Sequence, residues 1–248
     1  MSTVKSIFRE LGSSMEHIDS KTEPGGQTLA SGIAAQLRAR ITDGAIAPGE
    51  KLRLDDLRAT FGVSLSPLRE ALSRLSAEGF VVMEDQRGYR VAPVSEKNLR
   101  EVTRLRVEFE AFALREAIHQ GDDNWEGELV ASLYRLHKLE RSASPRLPEW
   151  EAAHRAFHQK LLVASDMPLL LQFCLTLHDL SDRYRRLFLE DHPIDRNVSE
   201  EHSEIANAAL QREPDLACKL LRTHIERTGA NVLDSLKARR LDRESANP

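Results

Sequence analysis

Hydrophobic positions in residues 62–79 recur at the spacing of an amphipathic helix. The buried stripe is formed by Leu68, Ala71, Leu72 and Leu75. Ser66 is a residue type that caps helices, and Pro67 suits the first helical position. The opposite face carries Ser66, Arg69, Glu70, Ser73 and Arg74. Short hydroxyls beside guanidinium groups suit phosphates and base edges, but such a face is also typical of an ordinary solvated helix.

Two shorter helices are expected before this segment. Apolar residues from Leu29 to Ile41 recur at helical spacing, and Gly44 is a typical stop. Asp55 can cap a second helix, which Gly62 would end. The amphipathic helix therefore follows two helices and a short turn.

A β-hairpin is expected after Gly79. Residues 80–83 and 89–91 are rich in β-branched and aromatic residues and flank a polar turn that contains Arg87, and Arg90 lies on the returning strand. Helices followed by a two-stranded wing are typical of a winged helix-turn-helix, which inserts its second turn helix into the major groove of DNA. This context favours the DNA-reading interpretation of the amphipathic helix.

Helical periodicity continues almost unbroken from Ser95 to Arg240, and no strand pattern appears there. The expected fold class is mainly α: an N-terminal winged helix-turn-helix with a two-stranded wing, followed by an all-α bundle of six or seven helices. The predicted domains are a mobile tail at 1–27, a DNA-binding domain at 28–94, a helical effector-binding and dimerisation domain at 95–240, and a C-terminal tail at 241–248.

The composition is that of a globular protein without membrane segments. The 248 residues are 41% hydrophobic and 30% charged, with a net charge of -4. No apolar run approaches the roughly 20 residues of a membrane span, and no secretory signal is seen, so we expect a cytoplasmic protein with no membrane partner. Residues 28–95 carry nine basic and eight acidic side chains, which permits DNA binding without demonstrating it.

Four of the nine histidines fall on helical positions that face an interior. His154 and His158 stand at i and i+4 on one helix, and His202 and His224 lie on two further helices. Imidazoles from three helices suit a transition metal in a bundle core, whereas a single core histidine is more often simply hydrogen-bonded. Solvated or packing roles are expected for His17, His119, His137, His178 and His192.

Residues 37–94 resemble the DNA-binding domain of the GntR family of bacterial transcription regulators. The matching motifs are DGAIAPGEKL, FGVSLSPLREALSRLSAEGFV and RGYRV. The resemblance implies that Arg69 contacts DNA, that Ser64 and Ser66 hold phosphates or base edges, and that Gly88 lets the wing approach the minor groove. The candidate DNA-binding residues are Arg53, Ser64, Leu65, Ser66, Arg69, Ser73, Arg74, Arg87 and Gly88.

Two positions depart from the pattern of that family. Leu65 stands where an arginine is usual, and Arg58 stands where a small residue is usual. The missing arginine removes a bidentate guanine contact of about 1 to 3 kcal/mol. We therefore expect an operator that departs from the usual half-site at this position.

Residues 95–235 are similar to the FCD domain of the FadR-like branch of the same family. The motifs are LRVEFEAFALREAI, HRAFHQKLL and EEHSEIANAALQREPDLACKLLRTHI. The resemblance implies that the metal ligands are His154, His158, His202 and His224. His154 replaces a usual aspartate, which favours Zn, Ni or Cu over Mg, Ca or Mn. The resemblance also implies an effector-binding role for Arg106, although the residues alone equally allow an ion pair with Glu108 or Glu110.

Together these observations predict a homodimeric DNA-binding transcription regulator, expected to be a repressor, with a palindromic operator. A small carboxylate effector is expected at or near a divalent transition metal, with Zn in first place and Ni in second. One alternative is a metal-dependent hydrolase, because His154 and His158 have the spacing of a zinc protease helix. Arg155 occupies the place of the glutamate base, so no enzyme is expected. The other alternative is an architectural DNA binder with a purely structural bundle.

Overall fold

The computed structural model describes residues 28–85, 87–141, 147–188 and 196–245. The described residues fall into two compact units, of which the first ends at Pro93 and the second begins at Val94. The predicted tail at 1–27 and the last three residues of the chain lie outside the described residues.

The first unit contains three helices and a small sheet in its described residues, 28–85 and 87–93. The helices are α1 (Leu29–Thr42), α2 (Leu54–Phe61) and α3 (Leu65–Ala77), and the strands are β1 (Lys51–Leu52), β2 (Val81–Glu84) and β3 (Gly88–Val91). The core is formed by fully buried side chains of α1 and α3, among them Ile33, Leu37, Leu68, Leu72 and Leu75. Gly62 ends α2 in the left-handed conformation, with φ of 65°, as its position predicted.

Two expected helix caps are wrong. Ser64 is the N-cap of α3, so Ser66 lies inside the helix and Pro67 is its third residue. Proline fits there because the backbone N–H groups of a first turn have no partner within the helix. Asp55 lies in the first turn of α2, whereas Arg53 is the N-cap and makes no side-chain capping bond.

The wing has three strands instead of the predicted two. β3 lies between β1 and β2, and Leu52 of β1 pairs with Tyr89 of β3. A two-residue strand is too short to show the alternation by which strands are recognised in a sequence. The predicted fold class, a winged helix-turn-helix followed by an all-α bundle, is confirmed.

The second unit contains six helices in the part of the chain that is described. They are α4 (Glu96–Gln120), α5 (Asp123–Glu140), α6 (Leu147–Leu162), α7 (Pro168–Phe188), α8 (Arg196–Leu210) and α9 (Pro214–Ser245), with a 3-10 turn at Val163–Ser165. Because α9 continues to Ser245, the predicted C-terminal tail begins within a helix. None of the described helices combines the length and the apolar character needed to cross a membrane.

The bundle packs around α4, which contacts four of the other helices and the 3-10 turn. Its buried aliphatic side chains, such as Leu114, belong to one hydrophobic core together with Leu129, Phe157 and Leu221 from other helices. α4 also turns two charged residues, Arg106 and Glu110, toward the interior of the bundle. These buried charges lie beside the four histidines and belong to the site described below.

Candidate functional site

The start of α3 presents most of the predicted DNA contacts on one exposed surface. Ser64, Leu65, Ser66 and Arg69 are exposed, and so is Ser73 one turn further along. Ser64 makes no capping bond with its side chain, which leaves its hydroxyl available to a ligand. Backbone N–H groups at a helix N-terminus favour phosphate, so this end of α3 has the chemistry of a DNA contact.

Arg74 differs from the other predicted contacts because it bridges two helices. Its guanidinium donates to the hydroxyl of Ser31 on α1, at 2.6 Å, and to Glu70 on α3. A contact with DNA would have to replace one of these bonds. The structure therefore gives Arg74 an intramolecular role that the sequence did not predict.

The tip of the wing carries two further predicted contacts. Arg87 and Gly88 are both exposed, and Gly88 has φ of 87°, a conformation that glycine adopts without strain. Arg90 instead braces the hairpin, because it donates to Glu84 and to the carbonyl oxygen of Gly49. Arg53 is exposed at the start of α2.

In the second unit, the four predicted metal ligands come together in the interior. One ring nitrogen from each of the four can be chosen so that all lie within 4.8 Å of one another. The ring centroids are separated by 4.6 to 6.4 Å. α6 supplies two of these histidines, and α8 and α9 supply one each; the four are His154, His158, His202 and His224.

Several nitrogens of this cluster lack a hydrogen-bond partner among the described residues. They are Nδ1 of His154, Nδ1 of His158 and both ring nitrogens of His202. Buried polar atoms are rarely left without a partner, because each such atom costs about 1 to 3 kcal/mol. The orphaned nitrogens therefore fit a group that would supply the missing contacts.

The histidines of the cluster are held in their neutral form. Burial lowers the pKa of His154 and of His158 well below the ordinary value of 6.5, and neighbouring histidines lower it further. Burial also lowers the pKa of His202 to about 4, although Glu140 opposes this shift. Neutral imidazole is the form that binds a metal, so at neutral pH the lone pairs are available for an ion.

Two carboxylates stand behind the cluster. Glu201 lies 2.8 Å from Nδ1 of His224, through its Oε2. Glu140 lies 3.9 Å from Nδ1 of His202 and accepts a hydrogen bond from the hydroxyl of Ser199. A carboxylate within hydrogen-bond distance of a metal-binding histidine, as Glu201 is, orients the ring and makes it a better ligand, whereas Glu140 is too far from His202 for a direct hydrogen bond. Neither carboxylate is part of the ligand set that the sequence predicts, although Glu201 directly precedes His202.

His178 also belongs to this region, although a solvated or packing role was expected. Its ring centroid lies 5.4 Å from that of His158, and its side chain is buried. Nδ1 of His178 lies 3.3 Å from the guanidinium of Arg106. The position of His178 on the inner side of α7 is a result of tertiary packing that its sequence context does not indicate.

Arg106, the predicted effector contact, forms a buried ion pair with Glu110. Its Nε donates to one carboxylate oxygen at 2.6 Å, and its Nη2 donates to the other at 3.2 Å. Nη1 donates to the hydroxyl of Ser181. Burial alone would lower the pKa of Arg106, but Glu110 raises it. Of the two interactions that the residues allowed, the ion pair with Glu110 is present.

Comparison with known proteins bears on both units. Residues 29–91 match the profile of bacterial regulatory proteins of the gntR family, and residues 101–227 match the profile of the FCD domain. The chain belongs to the GntR family. It is 36% identical over 204 residues to the HTH-type transcriptional regulator BphR of Paraburkholderia xenovorans LB400, covering 81% of this chain and 83% of BphR.

Two further proteins are similar to this GntR-family regulator. The HTH-type transcriptional repressor GlaR of Escherichia coli K12 is 35% identical over 195 residues, which cover 76% of this chain and 89% of GlaR. The structure of E. coli McbR/YncC has the same fold, with a TM-score of 0.73 and 21% identity; the match covers 85% of this chain and all of that one.

Family membership identifies a DNA-binding transcription regulator and not an enzyme, as expected. The FCD domain is consistent with control by an effector, and FCD domains can bind metal. In this GntR-family regulator, Arg155 forms ion pairs with Asp179 and, at 3.0 Å, with Asp182. A positive group engaged in this way cannot replace the glutamate base of a zinc protease, which removes the basis for the hydrolase alternative.

Proposed function

We propose that this GntR-family regulator is a dimeric repressor whose operator affinity depends on a metal ion and a small carboxylate in the FCD domain. The observation that carries the proposal is the cluster of four buried histidines with ring nitrogens within 4.8 Å of one another. Three of them have at least one ring nitrogen without a hydrogen-bond partner among the described residues. A structural bundle would more easily bury apolar side chains at these positions.

The ion would be held by His154, His158, His202 and His224. A set of imidazole ligands favours Zn or Ni over Mg, Ca or Mn, which prefer oxygen. When bound, the ion supplies a Lewis acid centre to which a carboxylate oxygen can bind. Glu201 would hold the ring of His224 from behind, and the negative charge of Glu140 lies near His202.

Arg106 is proposed as a residue of the effector site that acts through its pair with Glu110. Its guanidinium already has three partners: Glu110, Ser181 and His178. An incoming carboxylate must therefore replace one of these partners or bind beside the pair. Arg106 therefore serves to position the side chains of the inner wall of the site, and it is not a free guanidinium that binds the carboxylate by itself.

DNA binding is proposed for the exposed start of α3 and for the tip of the wing. Ser64, Leu65, Ser66 and Arg69 would read the major groove, and Arg87 with Gly88 would approach the adjacent minor groove. One recognition helix reads only a short half-site, so a dimer on a palindromic operator is the expected assembly. Repression is proposed because the relative GlaR is named a repressor.

The metal proposal is tested by elemental analysis of full-length protein purified without a histidine tag. We expect about one Zn or Ni ion per chain, or uptake of about one after incubation with Zn. His202→Gln should lose the metal, whereas His119→Gln should keep it, because His119 is an exposed residue outside the cluster. Wild-type protein without metal before and after incubation would refute the proposal.

Effector control is tested by measuring operator affinity with and without metal, in the presence and absence of small acids. A ligand shifts the DNA-binding equilibrium only if it binds the two states with different affinity. We expect at least one acid to change the operator affinity of the metal-loaded protein and not that of His202→Gln. Affinity that depends on neither metal nor acid would favour the architectural DNA binder instead.

A further inference from the structure

A cavity of about 210 Å³ opens beside the histidine cluster. Its inner end is formed by three buried polar side chains, His158, His178 and Glu110. Val163 and Leu175 are exposed and lie at the mouth. The cavity therefore runs from the proposed metal centre to the surface of the bundle.

The walls between the two ends are apolar except for Gln159, which is exposed. Leu162 and Leu171 line them together with Cys174. Burial raises the pKa of the Cys174 thiol to about 12, so this thiol is uncharged and behaves as a small apolar group. Glu110, which is paired with Arg106, is the charged residue among those that line the cavity.

We propose, on the basis of the metal-dependent function above, that the effectors are monocarboxylic acids with an apolar tail. The carboxylate lies at the inner end, next to the histidines, and the tail extends along Leu162 and Leu171 toward Leu175. A cavity of about 150 Å³ holds benzene. The larger cavity here therefore has room for a tail of about five or six carbons, or for a phenyl ring.

The same walls select against acids with two or more carboxylates. A second carboxylate between Leu162 and Leu171 would lose its water without gaining a cationic partner from the residues that line the cavity, and such a transfer is strongly unfavourable. Succinate is therefore expected to bind more weakly than butanoate, which has the same number of carbons.

Tail length provides the first test, by calorimetric titration of full-length Zn-loaded protein with acetate, butanoate and hexanoate. Each methylene removed from water improves affinity about fourfold, so hexanoate, with four more methylenes, should bind on the order of 200-fold more tightly than acetate. Succinate is titrated beside butanoate under the same conditions. The expected order is hexanoate, butanoate and then acetate, with succinate below butanoate.

A pair of variants tests whether the tail occupies this cavity. Leu175→Asp places a charge at the mouth, and it should remove most of the advantage of hexanoate while acetate binds as before. Leu169→Asp is the matched control, because Leu169 lies on the same helix, is 70% exposed and does not line the cavity. Its affinities should equal those of the wild type, and Zn content is measured in both variants.

Each alternative result has a definite consequence. Hexanoate binding no tighter than acetate, or succinate binding tighter than butanoate, would overturn the apolar-tail proposal and leave a carboxylate-responsive regulator standing. Equal loss of hexanoate binding in both variants would overturn the assignment to this cavity. Failure of every acid to bind the Zn-loaded protein would overturn the proposed carboxylate effector as well.

Discussion

Replacing Glu201 by glutamine removes one negative charge from behind the metal centre while keeping the shape of the side chain. Glu201 lies 2.8 Å from Nδ1 of His224, whose side chain is 6% exposed. Burial lowers the pKa of His224, and Glu201 opposes that shift, so the carboxylate makes the ring a stronger base. We expect Glu201→Gln to keep a hydrogen bond and to lower the affinity for Zn.

The magnitude follows from the buried contact. Loss of a carboxylate behind a metal-binding histidine typically costs about 10- to 100-fold in metal affinity. This factor corresponds to about 1.4 to 2.7 kcal/mol of binding free energy. Because bound metal stabilises the folded state by mass action, the increase in melting temperature caused by Zn should shrink by about 3 to 10 °C in a chain of this size.

The assay is a competition titration of Zn against a chromophoric chelator at pH 7, followed by thermal melts with Zn and with EDTA. The variant also loses the ion pair between Glu201 and Arg227. The melting temperature with EDTA measures that loss, so it can be subtracted from the effect of Zn. Glu200→Gln is the control, because Glu200 is the exposed neighbour. Zn affinity of Glu201→Gln within twofold of the wild type would refute the conclusion that this carboxylate supports a metal ligand.

The remaining predictions concern DNA binding and pH. Leu65→Arg should create a preference for guanine at one operator position worth about 1 to 3 kcal/mol, and an unchanged preference in a selection from random DNA would contradict it. Arg69→Ala should weaken operator binding without changing the melting temperature. Arg74→Ala should lower the melting temperature, because Arg74 bridges α1 and α3. If the two variants had equal effects on operator affinity in gel shifts and on melting temperature, this distinction would be wrong. Metal-free protein should lose stability as the pH falls from about 6.5 to about 4. The pKa of His202 is about 4 in the folded state and 6.5 in the unfolded chain, so the unfolded chain takes up the proton first. His202 contributes about 3 kcal/mol of this loss. Urea titrations at pH 7 and pH 4.5 with EDTA that give equal stability would show this pKa shift to be absent.

Features that depend on local sequence were predicted well. The stripe from Leu68 to Leu75 is buried as its spacing indicated, because residues three and four apart share a face of any helix. The pair His154 and His158 follows from the same periodicity. The prediction that Ser66 caps α3 was wrong by two residues. The position of a helix end depends on which backbone groups find partners, and a sequence pattern defines it poorly.

Other features of the site depend on residues far apart in the chain. The ion pair of Arg106 with Glu110 is a local contact within α4, but its contacts with Ser181 and His178 exist only because α4 packs against α7. Glu140 reaches His202 from a helix that lies about sixty residues earlier. No local pattern encodes such contacts, because they require that the helices first pack against one another.

The sequence by itself thus determined the order of the helices, the winged helix-turn-helix and the residue types available for DNA and metal, since these follow from short-range periodicity and motif spacing. Tertiary structure alone decided which nitrogens of the four histidines are left without partners and which carboxylates stand behind them. It also created the apolar cavity beside His158, whose walls come from α4, α6, α7 and the 3-10 turn. The physical reason is that burial and cavity shape are properties of packed helices and not of any one of them.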